Sequence, residues 1–175
     1  MELVCNGKVI LARLEVLGRA SNTWFKVDTG SAITVIDAAT VSSLFNLNLD
    51  SVKRFVHANN GLTFNGVGGG VIKVAPMFIR NSCIGNGYGS GIELGTFYTF
   101  VTDKDLLQNL IGMDFIAACA ANMRYGFMSI NAFNREVYED NFKFNCQGIT
   151  VQEISALFSA GRSVASLLDD AEGNK

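Results

Sequence analysis

Glycine is scattered through this chain and proline is nearly missing from it. Eighteen glycines and one proline punctuate short apolar runs. Few of those runs have the length or spacing of an amphipathic helix. Tight turns between short strands are what such a pattern makes, so a mainly β fold is expected. With 49% hydrophobic and 17% charged residues over 175 positions, there is apolar material for one real core and a modest extension. Disorder over most of the chain is excluded.

Composition also removes several classes of function. The formal net charge is −2 and no basic stripe runs along the sequence, so a nucleic-acid partner has no electrostatic footprint. No apolar run reaches the span of a bilayer helix, and no membrane partner is expected. The start, Met1-Glu2-Leu3-Val4, lacks the basic and apolar segments of a secretory signal, which points to the cytoplasm. Cys5, Cys83, Cys119 and Cys146 are far apart and form no CxxC pair. They read as free thiols, and with one histidine, His57, neither a metal nor a cofactor is expected.

Along the chain, Lys8–Leu17 and Thr23–Val27 read as strands joined by a turn over Gly18–Asn22. Ile33–Ile36 is β-branched throughout and reads as a third strand. Asp37 is placed to cap a helix over Ala38–Phe45. Arg54–Ala58 reads as a strand, followed by a turn at Asn59-Asn60-Gly61. Leu62–Val67, Val71–Phe78 and Phe97–Val101 read as strands, with a glycine-dense loop at 81–91. Met113–Ala121 reads as a helix. Tyr125–Ile130 reads as a strand whose hairpin continues through Glu136-Val137-Tyr138. Helical spacing returns over Val151–Leu168, with Gly161 able to split it.

Three motifs carry chemistry. In Phe25-Lys26-Val27-Asp28-Thr29-Gly30-Ser31 an apolar strand delivers a carboxylate onto a glycine turn, where backbone N–H groups can tolerate its charge. Alone, that tripeptide also describes an ordinary acidic turn. Leu110-Ile111-Gly112-Met113-Asp114 has the form of one segment crossing the loop of another, or of a plain strand–turn–helix with Asp114 as its cap. Phe64 to Val74 places two strands around the tip Gly66-Val67-Gly68-Gly69-Gly70, a hairpin able to close over a ligand. A phosphate-cradling loop does not fit, because no Lys-Ser or Lys-Thr follows these glycines.

In this order and spacing the three motifs resemble the retropepsin family of aspartic proteases. The resemblance covers about residues 8 to 130. It implies a retropepsin-like acid-protease barrel with a short helix after the second hydrophobic-Gly motif, and the Val151–Leu168 spacing adds a C-terminal helix beyond the minimal fold. The protease domain is expected over 1–148, with a helical extension and polar tail over 149–175. The family's reaction implies peptide-bond hydrolysis by a water held between two Asp28 carboxylates. A chain with one such loop and room for one lobe must then meet a second copy of itself. Thr29 would lock the paired loops, Gly30 would meet the substrate backbone, and Ser31 would donate to a carboxylate. Val67 would be the flap tip. Ala32, Ile33, Val67, Val71 and Ile72 would be pocket walls around a polypeptide substrate, with Gly66, Gly68 and Gly69 shaping the flap. Leu110, Ile111, Gly112 and Asp114 would support the site.

Retroviral members often carry an Asp and an Arg, paired as a dimer brace, where this chain has Ala32 and Met113. Both partners are absent together, so no orphan charge results. The segment 81–95 exceeds a minimal retropepsin and reads as a surface loop or an insertion. The alternative function is a retropepsin-like module that dimerises or binds peptide without cutting it.

Overall fold

A computed structural model describes residues 1–16, 19–59, 61–66 and 70–153; for 19–22 and 152–153 it describes the backbone alone. Six strands close a barrel. They are β2 (Val9–Val16), β3 (Arg19–Val27), β8 (Asn109–Ile111), β4 (Val35–Asp37), β7 (Gly91–Thr102) and β6 (Val71–Gly85), and β6 returns to pair with β2. The ring mixes directions, since β3–β8 and β4–β7 are parallel while β2–β3, β6–β7 and β2–β6 are antiparallel. β5 (Leu62–Asn65) pairs antiparallel with the start of β6, with Leu62 opposite Val74 and Asn65 opposite Val71. β1 (Glu2–Asn6), β10 (Phe127–Phe133) and β9 (Cys119–Arg124) extend the sheet from β2.

The four helices among the described residues are α1 (Ala38–Phe45), α2 (Leu49–Asn59), α3 (Met113–Ile116) and α4 (Arg135–Cys146). α1 begins as the sequence predicts. The Asp37 carboxylate accepts from Thr40 N at 2.9 Å and from the Thr40 hydroxyl at 2.6 Å, satisfying a first-turn donor that the helix leaves unpaired.

Elsewhere the structure corrects the sequence reading. Arg54–Ala58 is the second half of helix α2, not a strand. Asn48 accepts from Ser51 N at 3.1 Å to start it, and Val52 and Val56, one turn apart, are both buried. Glu136-Val137-Tyr138 lies in α4, not in a hairpin. Asn134 caps that helix by accepting from Val137 N at 3.1 Å, and Tyr138, Phe142 and Cys146 recur every four residues on its buried face. The helix expected over Met113–Ala121 is the one-turn α3, and Cys119 onward is strand. The third strand is Val35–Asp37 rather than Ile33–Ile36. The glycine-dense 81–91 segment is mostly sheet, with β6 running to Gly85 and β7 starting at Gly91.

A helix does follow the barrel, at α4. Gln152–Glu153, where the Val151–Leu168 helix was expected to begin, instead form β11, parallel to Met77–Phe78 of β6. The rest of that expected helix lies outside the described residues. Among the described residues no helix is long and apolar enough to cross a membrane, and no cluster of His, Cys, Asp or Glu is placed to hold a metal. The four cysteines are free thiols.

The buried interior falls into two clusters. The larger fills the barrel, with Leu14, Phe25, Ile36, Ile84, Phe97 and Ile111 among its fully buried members. The smaller lies beside α4 and the β5–β6 hairpin.

Candidate active site

β3 ends at Val27, and the chain turns sharply over Asp28-Thr29-Gly30-Ser31. Ser31 N donates to Asp28 O at 3.2 Å, and Gly30 N donates to Asp28 Oδ1 at 2.9 Å. The carboxylate is therefore met by a backbone donor from its own turn. Asp28 is half-buried, and Thr29 and Gly30 are exposed. The loop is thus presented at the surface, not enclosed within the chain.

The second motif crosses this loop from below. β8 runs parallel to β3, with Ile111 opposite Val27. Asp28 N donates to Ile111 O at 2.9 Å, Met113 N to Ser31 O at 2.7 Å, and Asp114 N to Ala32 O at 3.3 Å. Gly112 sits at the point of closest approach. A β-carbon there would lie 2.3 Å from Ile33 O and 2.7 Å from Ser31 O. Only glycine fits this crossing, because both obstacles are backbone atoms that cannot rotate away. Leu110 and Ile111 hold the strand beneath it. Ile111 is 1% exposed in the main core, and Leu110 pairs with Lys26 on one side and Val35 on the other.

Asp114 is an internal support rather than a cap. Gly112 holds the N-cap position of α3, and the Asp114 side chain turns inward at 2% exposure. Thr34 N donates to Asp114 Oδ2 at 2.9 Å, the Thr34 hydroxyl to Oδ1 at 2.6 Å, and Phe115 N to Oδ1 at 2.8 Å. The same hydroxyl oxygen accepts from Gly112 N at 3.2 Å. Burial pushes the Asp114 carboxyl up to about 6, against the pull of these donors. All three donors are neutral, so hydrogen bonds rather than a counter-ion hold the charge. Thr34, 0% exposed, is a site-supporting residue that the sequence reading did not single out. Its signal was a hydroxyl inside an otherwise apolar β-branched run.

Two other expectations change. The Ser31 hydroxyl donates to Ile33 O at 2.7 Å and does not reach a carboxylate. Ile33, expected as a pocket wall, is 3% exposed and packs in the smaller core cluster. Ala32 is exposed, and so are Val71 at 59% and Met113 at 38%. Ile72 is half-buried against the smaller cluster. Gly66 N donates to Gly70 O, which closes the base of the hairpin tip. Val67, Gly68 and Gly69 lie outside the described residues.

No protein-family model matches the sequence, and no curated protein matches it. Among solved structures, the chain is similar to a retropepsin-like aspartic protease from Rickettsia conorii. The TM-score is 0.50 at 16% identity, covering 75% of this chain and 97% of that one. The fold is retropepsin-like. At such identity the likeness is one of fold. A retroviral protease-like domain of Ddi1 from Leishmania major gives a TM-score of 0.45 at 14% identity, over 74% of this chain and 93% of that one. The arrangement seen here, a turn after one strand crossed by the end of another, is part of that retropepsin-like barrel. α4 follows β10, outside the six strands of the barrel.

Proposed function

We propose that this protein is an aspartic endopeptidase that works as a homodimer, with Asp28 from each copy meeting across a two-fold axis. The observation that carries the reading is the crossing under the Asp28 loop. Three backbone hydrogen bonds and a glycine with no room for a side chain hold one half-exposed carboxylate at the surface. A turn with no task beyond connecting two elements needs no such cradle.

The chemistry follows from two carboxylates brought close together. They cannot both ionise cheaply, so they hold one proton between them. The ionised member takes a proton from a water lying between the pair, and that water attacks the scissile carbonyl carbon. The protonated member donates to the carbonyl oxygen as its negative charge develops. Collapse of the tetrahedral intermediate expels the amine, which leaves with a proton from the dyad. An extended peptide lies between the dyad and the β5–β6 flap. Its backbone bonds to both, and its alternate side chains point towards the flap residues Val71 and Ile72. Thr29 and Gly30, exposed on the same loop, face the partner copy and the substrate backbone.

Digestion of an unstructured peptide library by the wild type and by Asp28→Asn, with a pepstatin-like inhibitor as control, tests this. Cleavage at acidic pH that both the substitution and the inhibitor abolish is the expected result. A folded wild type that cuts nothing between acidic and neutral pH would leave a peptide-binding or dimerising module instead. A rate profile peaking clearly above neutrality contradicts the shared-proton chemistry.

A further inference from the structure

The smaller core cluster joins parts of the chain that the barrel alone keeps apart. Ile33 and Val35 follow the Asp28 loop directly, and Leu62 and Val74 sit on the two flap strands. Phe100 of β7 lies between them. Phe142 and Cys146, both from α4, complete the cluster.

Phe142 is one of the cluster's two buried rings, with Phe100 the other. It is 1% exposed, stacks on Tyr98 at 4.7 Å and tilts against Phe100 at 4.9 Å. Phe100 in turn meets Phe64 of β5 edge-on at 5.4 Å. An aromatic chain thus runs from α4 through the barrel wall to the flap.

Neighbouring contacts follow the same course. Asn141 Nδ2 donates to Asp114 O at 3.1 Å, on the segment that crosses beneath the Asp28 loop. Ile149 Cδ1 lies 3.0 Å from where a β-carbon of Gly61 would stand, one residue before β5. β11 then pairs with β6 at Met77 and Phe78.

The geometry points to Phe142 as a positioning residue that fixes the base of the flap to the segment following Asp28. It touches no reacting atom. A close-packed interior transmits displacement rather than absorbing it. Phe142 backs Phe100, and Phe100 meets Phe64 at the base of the β5–β6 hairpin. The base of the hairpin therefore moves with the segment that follows Asp28 as one body. The consequence for peptide binding rests on the protease reading. The mechanical coupling does not.

Amide hydrogen exchange on the full chain tests the coupling without any need for activity. Phe142→Leu keeps an apolar side chain and removes the ring contacts. It is expected to speed exchange at Leu62–Phe64 and Ile72–Val74 by at least about tenfold, while Ala12–Leu14 in the far barrel wall keep wild-type rates. Phe144→Ser, on the exposed side of α4 at 83%, should change neither group. Uniform acceleration across the barrel, or none at the flap strands, overturns the proposal. Should Phe142→Leu fail to fold, the wild type decides. In mild denaturant α4 and the flap strands must lose protection together, and flap strands that open well before α4 overturn the coupling.

Where the wild type cleaves peptide, Phe142→Leu is expected to raise KM about tenfold with kcat within about twofold. A fall in kcat at unchanged KM contradicts a role in flap placement. A wild type that cleaves nothing removes the protease reading and leaves the exchange pattern to decide on the coupling.

Discussion

Gly112→Ala places a methyl group where the structure has no space for one. The new carbon would stand 2.3 Å from Ile33 O and 2.7 Å from Ser31 O. Relief requires the crossing segments to part by about an ångström before the atoms reach ordinary contact. Parting strains or breaks the bonds from Asp28 N to Ile111 O, Met113 N to Ser31 O and Asp114 N to Ala32 O. At about 1 kcal/mol net for each of these three bonds, with about 1–3 kcal/mol for the misfit, the loss is about 4–6 kcal/mol. In a domain of this size that lowers Tm by roughly 10–20 °C. Gly126→Ala is the control. Gly126 has φ +88° and nothing within 4 Å of an added β-carbon, so only backbone strain of about 1–2 kcal/mol applies. Denaturant unfolding followed by circular dichroism measures both variants. The reasoning fails if Gly112→Ala costs no more than Gly126→Ala, because the crossing would then be free to relax.

Two further outcomes follow. The Asp114 carboxyl is held near 6 by burial, above its ordinary 3.8, so the folded state takes up its proton before the unfolded chain does. Its contribution to stability is complete below about pH 4 and is lost as pH rises through 6. Relative to Asp114→Asn, the wild type should lose roughly 2–3 kcal/mol between pH 4 and pH 7, with no further change above that. Unfolding midpoints across this range check it, and a stability difference that is flat or rises with pH contradicts it. Burial likewise pushes the Cys119 thiol up to about 12 and the Cys146 thiol up to about 11. Both should resist iodoacetamide at pH 8 in the folded protein and react fully once it is unfolded, as read by mass spectrometry. Rapid native labelling of either would contradict the upward shift of these thiols.

Much of the site could be read in the sequence because its determinants are local. The apolar strand ending at Asp28, the glycine turn, the Leu110-Ile111-Gly112 strand and the Asp37 cap each depend on a few consecutive residues. The crossing itself was legible only as a form, since the clash that demands Gly112 comes from Ile33 and Ser31, about 80 positions away. Thr34 was hidden for the same reason, because its hydroxyl matters only when Asp114 arrives beside it. Within α2, Phe55 and Val56 have high strand propensity, which favours a strand over Arg54–Ala58. The Val52–Val56 spacing was the better guide, and burial against the sheet decided in favour of helix. α4 had a visible signature in Asn134 followed by Tyr138, Phe142 and Cys146 at four-residue steps. That four-residue period, not the short Glu136-Val137-Tyr138 run, decides the element. The long β6–β7 hairpin was masked by its glycines, which lie within the strands as well as at the turn.

The central claim is that one active site needs Asp28 from two copies. Mixing subunits tests it most directly. Wild-type protein is allowed to exchange subunits with a threefold excess of Asp28→Asn, and cleavage is then measured per wild-type chain. If every site needs two intact carboxylates, only pairs of wild-type chains cut, and activity per wild-type chain falls to about one quarter. Activity per wild-type chain that is unchanged by the excess, with exchange verified by mass spectrometry, would contradict a shared dyad.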